Sequence, residues 1–274
     1  MSEWTKYEED FVKENYNKYT KQQLSEMLGK SKGAIQQKAN RMGIKKKSAY
    51  HYNKDFFKNI CTDQQAYWLG FIFADGWITD YELGIELNES DDSHLRKFNK
   101  DISGNLQVKY RERRPTIIDG RQVGVRHTCR LNIFSKDIVD DLISHGCIKN
   151  KSLFINQPKN IQDKYMRHFI RGYFDGNGCI RFDKRKLING EKEYLRVCIC
   201  SGSIDFVEWL SSFLSTKKYD NYISKDEEHN SYNIWICSGS LIKFLDYMYK
   251  NTTVYLDRKY NVYKNLINAN KVVV

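Results

Sequence analysis

The sequence predicts an α+β protein: a small all-helical unit, then two pseudo-symmetric copies of an αββαββα repeat. Three observations lead there. Residues 4–44 carry apolar side chains at helical spacing in three short runs. One apolar helix occurs twice, in QAYWLGFIFADGWI (65–78) and MRHFIRGYFDGNGCI (166–180). Each copy is followed by the same succession of alternating strands and amphipathic helices.

In the helical unit, Trp4, Phe11 and Tyr16 belong to a first helix, Leu24 and Leu28 to a second, and Ile35, Ala39 and Met42 to a third. Gly29 is placed to end the second helix and Ser31 to cap the third, SKGAIQQKANRMG. Two short helices joined by a Gly-containing turn, the last rich in Lys, Gln, Asn and Arg, describe a helix-turn-helix. A three-helix bundle with a polar outer face has the same pattern; the local charge favours nucleic acid. On the exposed side, Lys32, Gln36, Gln37 and Asn40 are candidates for reading bases, and Lys38 and Arg41 for phosphate. Lys45, Lys46, Lys47 and the stretch to Lys58 read as a basic linker following a DNA backbone, so the expected division is 1–47, a linker 48–62, then repeats over 63–158 and 159–274.

The repeat is the informative feature. Gly172 lies 102 residues after Gly70, and at that offset Gly76 falls on Gly178 without a gap. ELGIELNES (82–90) matches EYLRVCICSG (193–202), and each precedes a helix, a further strand pair and a closing helix. Alternation gives the first sheet two faces. Leu106, Val108, Tyr110, Val125, Cys129, Leu131 and Ile133 belong to a core face. Gln107, Lys109, Arg111, Arg113, Arg126, Thr128, Arg130 and Asn132 belong to the other, a spacing suited to a DNA groove, with Arg181 and Arg196 the candidates in the second copy. A solvated face would mix Glu with Lys, and these two runs hold almost no acid.

Composition agrees. Of 274 residues 41% are hydrophobic and 29% charged, as in ordinary globular proteins. The net charge is +11, with 13 Lys and Arg against 7 Asp and Glu in residues 1–60, which attracts polyanions without choosing among them. No apolar run reaches membrane-spanning length and the first residues are too polar for a signal peptide, so a cytoplasmic protein without a membrane partner is expected. Seven cysteines occur without a C-x-x-C pair, which fits free thiols better than zinc ligands.

The duplicated helix combines two properties. Small residues four apart, Gly70 with Ala74 and Gly172 with Gly176, let two backbones approach, so each helix is the natural partner of the other. A polar residue of metal-ligand type ends each helix: Asp75 in one copy, Asp175 or Asn177 in the other. Oxygen ligands held together in a positive cleft suit Mg²⁺, and a metal-loaded pair supplies what phosphodiester hydrolysis needs. A single Asp-Gly helix end is an ordinary C-cap; duplication at fixed spacing is what points to chemistry.

WLGFIFADG (68–76) and IRGYFDGNG (170–178) resemble the two motifs of single-chain LAGLIDADG homing endonucleases, and residues 63 to 265 are similar to that family in organisation. The helical unit resembles small Myb/SANT-like modules. The family resemblance implies two sheets forming a saddle over the DNA major groove, with the motif helices between them. It places Asp75 at the metal-binding acid, with the Ala74 carbonyl beside it, and Asn177 at the second position, with Gly176 beside it. It also matches Lys151, in NKSLFINQP (150–158), and Lys259, in VYLDRKYNVYKNL (254–266), to basic residues near the scissile phosphates, Arg258 being the alternative to Lys259. Asn177 departs from the expected acid. Asp175 lies on a different side of the helix and does not simply replace it. The resemblance therefore implies a monomeric, Mg²⁺-dependent nuclease of a mobile element, such as an intron, acting on a long asymmetric duplex, with Mn²⁺ or Ca²⁺ able to support binding. It would be cytoplasmic and associated with nucleoid or phage DNA. Poor cutting, nicking and binding without cutting all remain open with Asn177. The competing readings are a non-cleaving regulator on the same fold and an RNA-binding splicing cofactor.

Overall fold

A computed structural model describes residues 3–45, 50–118, 121–187 and 190–271. The chain forms two compact units, Met1–His51 and Tyr52–Val274. The first holds α1 (Lys6–Asn15), α2 (Lys21–Leu28) and α3 (Lys32–Arg41). Thr5 with Glu8 and Thr20 with Gln23 close reciprocal capping boxes, and Ser31 accepts from the Ala34 amide. Gly29 ends α2 at φ 63°, a left-handed conformation costly for any residue with a Cβ. Val12, Tyr16, Leu24, Ile35 and Ala39 form this unit's own core.

The second unit begins before the expected repeat. Phe56, Phe57 and Ile60 are buried in its core, the Asn53 amide donates to Ile102 O (2.8 Å), and Gln65 Nε2 donates to Phe56 O (2.9 Å). Residues 52–62 are therefore structural, and the expected linker over 48–62 is corrected. Three apolar side chains in a polar stretch have a surface to bury against, which composition conceals. Lys46 and Lys47 lie outside the described residues.

The first repeat contains α4 (Asp63–Asp75), β1 (Gly76–Ile78), β2 (Glu82–Asn88), α5 (Asp92–Asp101), β3 (Lys109–Arg113), a hairpin of β4 (Thr116–Ile118) and β5 (Arg121–Val123), β6 (Arg126–Phe134) and α6 (Lys136–Ser144). The second contains α7 (Asp163–Asn177), β7 (Gly178–Leu187), β8 (Gly190–Ser201), α8 (Ile204–Thr216), β9 (Asn221–Asp226), β10 (Ser231–Ile236) and α9 (Leu241–Tyr249), followed by α10 (Asp257–Lys271). Two four-stranded antiparallel sheets result, β1-β2-β6-β3 and β7-β8-β10-β9. Their strand order is the same, as duplication requires. The core faces behave as the alternation predicts, except at one margin: Tyr110 is 48% and Val125 51% exposed. Tyr110 instead hydrogen-bonds Asp92 (2.8 Å) and Arg96 (2.7 Å).

Candidate metal centre and nucleic-acid interface

α4 and α7 pack backbone against backbone. A Cβ placed on Gly70 would lie 2.0 Å from the Phe169 carbonyl oxygen, and one on Gly172 would lie 1.9 Å from that of Tyr67. The glycines thus permit the contact that sets the distance between repeats. At the far end a Cβ on Gly176 would lie 2.4 Å from Ala74 Cβ and 3.2 Å from Asp75 Oδ2. The Asp75 carboxylate therefore rests against the residue preceding Asn177, and the two duplicated helix ends meet as the sequence predicts.

Two buried lysines close these ends. Lys151 Nζ donates to Ala74 O (2.6 Å), and Lys259 Nζ donates to Phe174 O (2.6 Å), Asp175 O (2.8 Å) and Gly178 O (2.5 Å). Carbonyls at a helix C-terminus lack intrahelical donors and carry partial negative charge, so an ammonium satisfies both deficits. Burial nevertheless pushes the Lys151 pKa down and that of Lys259 to about 8. Burial raises the Asp75 pKa, opposed by the charges of Lys259, Lys151 and Arg258. Arg258 itself pairs with Asp91 (3.1 Å).

Asp175 has a different role from Asp75. It is fully buried and accepts from Tyr67 OH (2.6 Å), Tyr249 OH (2.5 Å) and the Leu256 amide (2.8 Å). Its oxygens are committed to joining α4, α9 and the entry to α10. Arg171, also fully buried, donates to Val254 O and Met248 O (both 3.0 Å). This Arg171–Asp175–tyrosine cluster was missed by sequence reasoning; the signal was an Arg and an Asp four apart in the second copy of the helix, where the first copy has Leu69 and Phe73.

The outer face of the first sheet collects the predicted residues. Lys109 pairs across from Arg130, Arg111 from Thr128 and Arg113 from Arg126. Gln107, Lys109, Arg111, Arg113 and Arg126 are exposed; Thr128, Arg130 and Asn132 are half-buried. β2 adds acids the two cationic runs lack: Glu86 holds Arg113 (2.6 Å), and Glu82 holds Arg130 (2.9 Å) and Asn132. Arg130 also stacks 4.5 Å from the Trp77 ring. Asp75, Trp77, Glu86, Asn88, Arg113 and Arg126 share an open cleft of about 450 Å³. On the second sheet Arg196 lies 4.4 Å and Arg181 5.5 Å from Trp235, with Arg181 paired to Asp183 (2.9 Å).

Residues 164–248 match the family model of the LAGLIDADG-like domain. Meganuclease I-AabMI, solved bound to uncleaved DNA, aligns over 78% of this chain and 91% of its own at 11% identity, with a TM-score of 0.54. Meganuclease I-SmaMI bound to uncleaveable DNA aligns over 74% and 89% at 14% identity, TM-score 0.51. I-SmaMI bound to uncleaved DNA with calcium aligns over 77% and 92% at 14% identity, TM-score 0.52. The fold is that of the LAGLIDADG meganucleases. No curated protein matches the chain.

Within this LAGLIDADG fold, the oxygen donors offered at the helix ends are poor in charge: the Asp75 carboxylate, backbone carbonyls and the amide oxygen of Asn177, whose Nδ2 donates to Tyr173 OH (3.4 Å). Among the described residues no group of three or more His, Cys, Asp and Glu could hold a metal alone. A single carboxylate with carbonyl oxygens suits a hard divalent cation whose remaining positions are filled by water and substrate phosphates. Ala74 O, one expected ligand, already accepts from Lys151. A carbonyl has a second lone pair, so the two roles are compatible.

In the helical unit, Lys32, Gln37, Asn40, Arg41 and Lys45 are exposed, and Gln36 is half-buried with Nε2 donating to Asn40 Oδ1 (3.1 Å). Lys38, expected on phosphate, pairs with Glu9 beneath Trp4. Its ammonium is spent on internal structure, so the phosphate role is not carried forward.

Proposed function

We propose that the chain is a site-specific, divalent-metal-dependent endonuclease of double-stranded DNA, of the homing type carried by mobile elements. The carrying observation is Asp75: a carboxylate at the meeting point of two duplicated helices, inside a cleft edged by arginines and backed by Lys151 and Lys259. The DNA bound to I-SmaMI and I-AabMI, and the calcium ions with one I-SmaMI complex, agree with this reading. A monomer suffices because one chain carries both repeats, and unequal repeats suit a long asymmetric target. The setting is the cytoplasm, on nucleoid or phage DNA.

Asp75, with Asn177 and the Ala74 and Gly176 carbonyls, would hold the ion against a scissile phosphate. Mg²⁺ bound there supplies Lewis acidity and a more acidic water. Lys151 and Lys259 fix the helix ends and place positive charge beside the phosphate. Arg113 and Arg126 draw the backbone into the cleft.

The test uses a duplex recovered by the protein from a randomised pool, incubated with Mg²⁺. Asp75→Asn should lower strand breakage by more than about 100-fold while retaining binding. If neither the chain nor Asn177→Asp breaks a strand, the second reading stands: a non-cleaving, sequence-specific binder, which the missing carboxylate at 177 already favours.

A further inference from the structure

We infer that only one half of the cleft is hydrolytic: repeat 1 cuts the strand lying on Asp75, repeat 2 grips without cutting, and the product is a nick in one defined strand. This rests on the endonuclease reading above and specifies its product.

The sheet registers allow the two halves to be compared position by position. In repeat 1, Gly76 pairs with Ile85 and Ile85 with Leu131; in repeat 2, Gly178 pairs with Ile199 and Ile199 with Ile234. Taking these as equivalent, Arg130 of β6 corresponds to Asn233 of β10. Lys109 and Arg111 of β3 correspond to Ser224 and Asp226 of β9. Where repeat 1 continues into Arg113 and Arg126, repeat 2 has already turned through Glu227, Glu228, His229 and Asn230. Asp226 itself is bound to this turn, accepting from the Glu228 amide (3.1 Å).

Most of these substitutions remove cations, whereas on the neighbouring strand Glu82 and Glu86 of β2 correspond to Arg196 and Cys200 of β8. Beside Asp75 the sheet presents cations to a phosphate. Beside Asn177 the same positions present hydroxyl, amide and carboxylate. Hydrolysis needs negative ligand charge for the metal and positive charge for the phosphate; repeat 2 lacks the carboxylate at 177 and these sheet cations, and keeps Lys259 at its helix end. An anionic Asp226 where repeat 1 has Arg111 opposes close approach of a phosphate. Repeat 2 keeps its cations further along the strands, where Arg181 and Arg196 flank Trp235 and can hold DNA away from the centre. Position 177 is therefore one of a set of linked changes, and a single reversion does not rebuild the missing half.

Two measurements decide. Phosphate-ethylation interference in a Ca²⁺ complex reads binding alone. Interference near the centre should appear on the repeat 1 side only, with repeat 2 contributing distal phosphates; symmetric central interference overturns the inference. On a supercoiled plasmid carrying the selected duplex, Mg²⁺ should give open circles nicked in one strand, lost more than about 100-fold in Asp75→Asn. Asn177→Asp should still yield no linear product. Linear product from the unaltered chain or from Asn177→Asp overturns the single-centre inference and leaves the endonuclease reading intact. No break from either form overturns the endonuclease reading, and the nick with it.

Discussion

His168 meets the Arg171 guanidinium at Nδ1 (2.8 Å) and Asp63 at Nε2 (3.1 Å). Arginine only donates, so Nδ1 accepts and the ring is neutral. Burial, reinforced by the charges of Arg171 and Arg167, pushes its pKa to about 3; burial does the same to His94, beside Tyr67 OH (3.1 Å). Both values lie below the unfolded 6.5, so the unfolded chain binds more protons between those limits. Their stabilising contribution is complete above pH 6.5 and is lost as pH falls towards 3, at up to about 1.4 kcal/mol per pH unit for each ring. His168→Asn keeps an acceptor for Arg171 but removes the proton uptake. Urea unfolding at pH 7 and pH 5 should show that this variant loses about 2 kcal/mol less than the parent on acidification; equal losses refute the assignment. These histidines were not legible in the sequence: His168 lies in the repeated helix but ahead of its 170–178 motif, and the burial of both rings depends on partners from α4, Asp63 and Tyr67. Asp75 and Asn177 stood out in the sequence because the helix ending on them occurs twice, whereas Lys151 and Lys259 were singled out by the family resemblance alone.

Between α4 and α7, close approach is a property of two positions. Gly172→Ala would put a methyl carbon 1.9 Å from the Tyr67 carbonyl oxygen, and neither main chain can yield without parting the helices. We expect a loss of about 3 kcal/mol in chemical unfolding, at the upper end of over-packing costs. Gly33→Ala in α3 is the contrasting case, since its methyl would meet only Ser31 Oγ at 3.9 Å. It should be neutral or stabilise the helical unit by up to about 1 kcal/mol. An equal loss for both variants would show that the interhelical contact is not responsible. The small-residue spacing made this pairing visible before any coordinates. Two element-level features were not visible. Phe56, Phe57 and Ile60 look like part of a linker until the surface they cover exists. The outer sheet face looked free of acid because Glu82 and Glu86 come from β2, and the side chains that share a face depend on register between strands distant in sequence.

The two units have separate cores, so the first can be removed without opening the core of the second. A chain beginning at Tyr52 retains every group at the proposed metal centre and both sheets. It loses Lys32, Arg41 and Lys45, the exposed cations around α3. Each phosphate contact releases counterions, lowering the slope of log K against log salt by roughly 0.9. If those three cations touch DNA, the shortened chain should show a slope shallower by about 3 between 50 and 200 mM salt, with weaker binding at low salt. Any strand it breaks should be the same one, at the same phosphate, because Asp75 and its cleft are unchanged. Filter binding across the salt series and mapping of the break read these two outcomes separately. An unchanged slope would remove the helical unit from the DNA interface. A shifted or second break would mean that the N-terminal unit, rather than the inequality of the two repeats, governs which phosphate is reached.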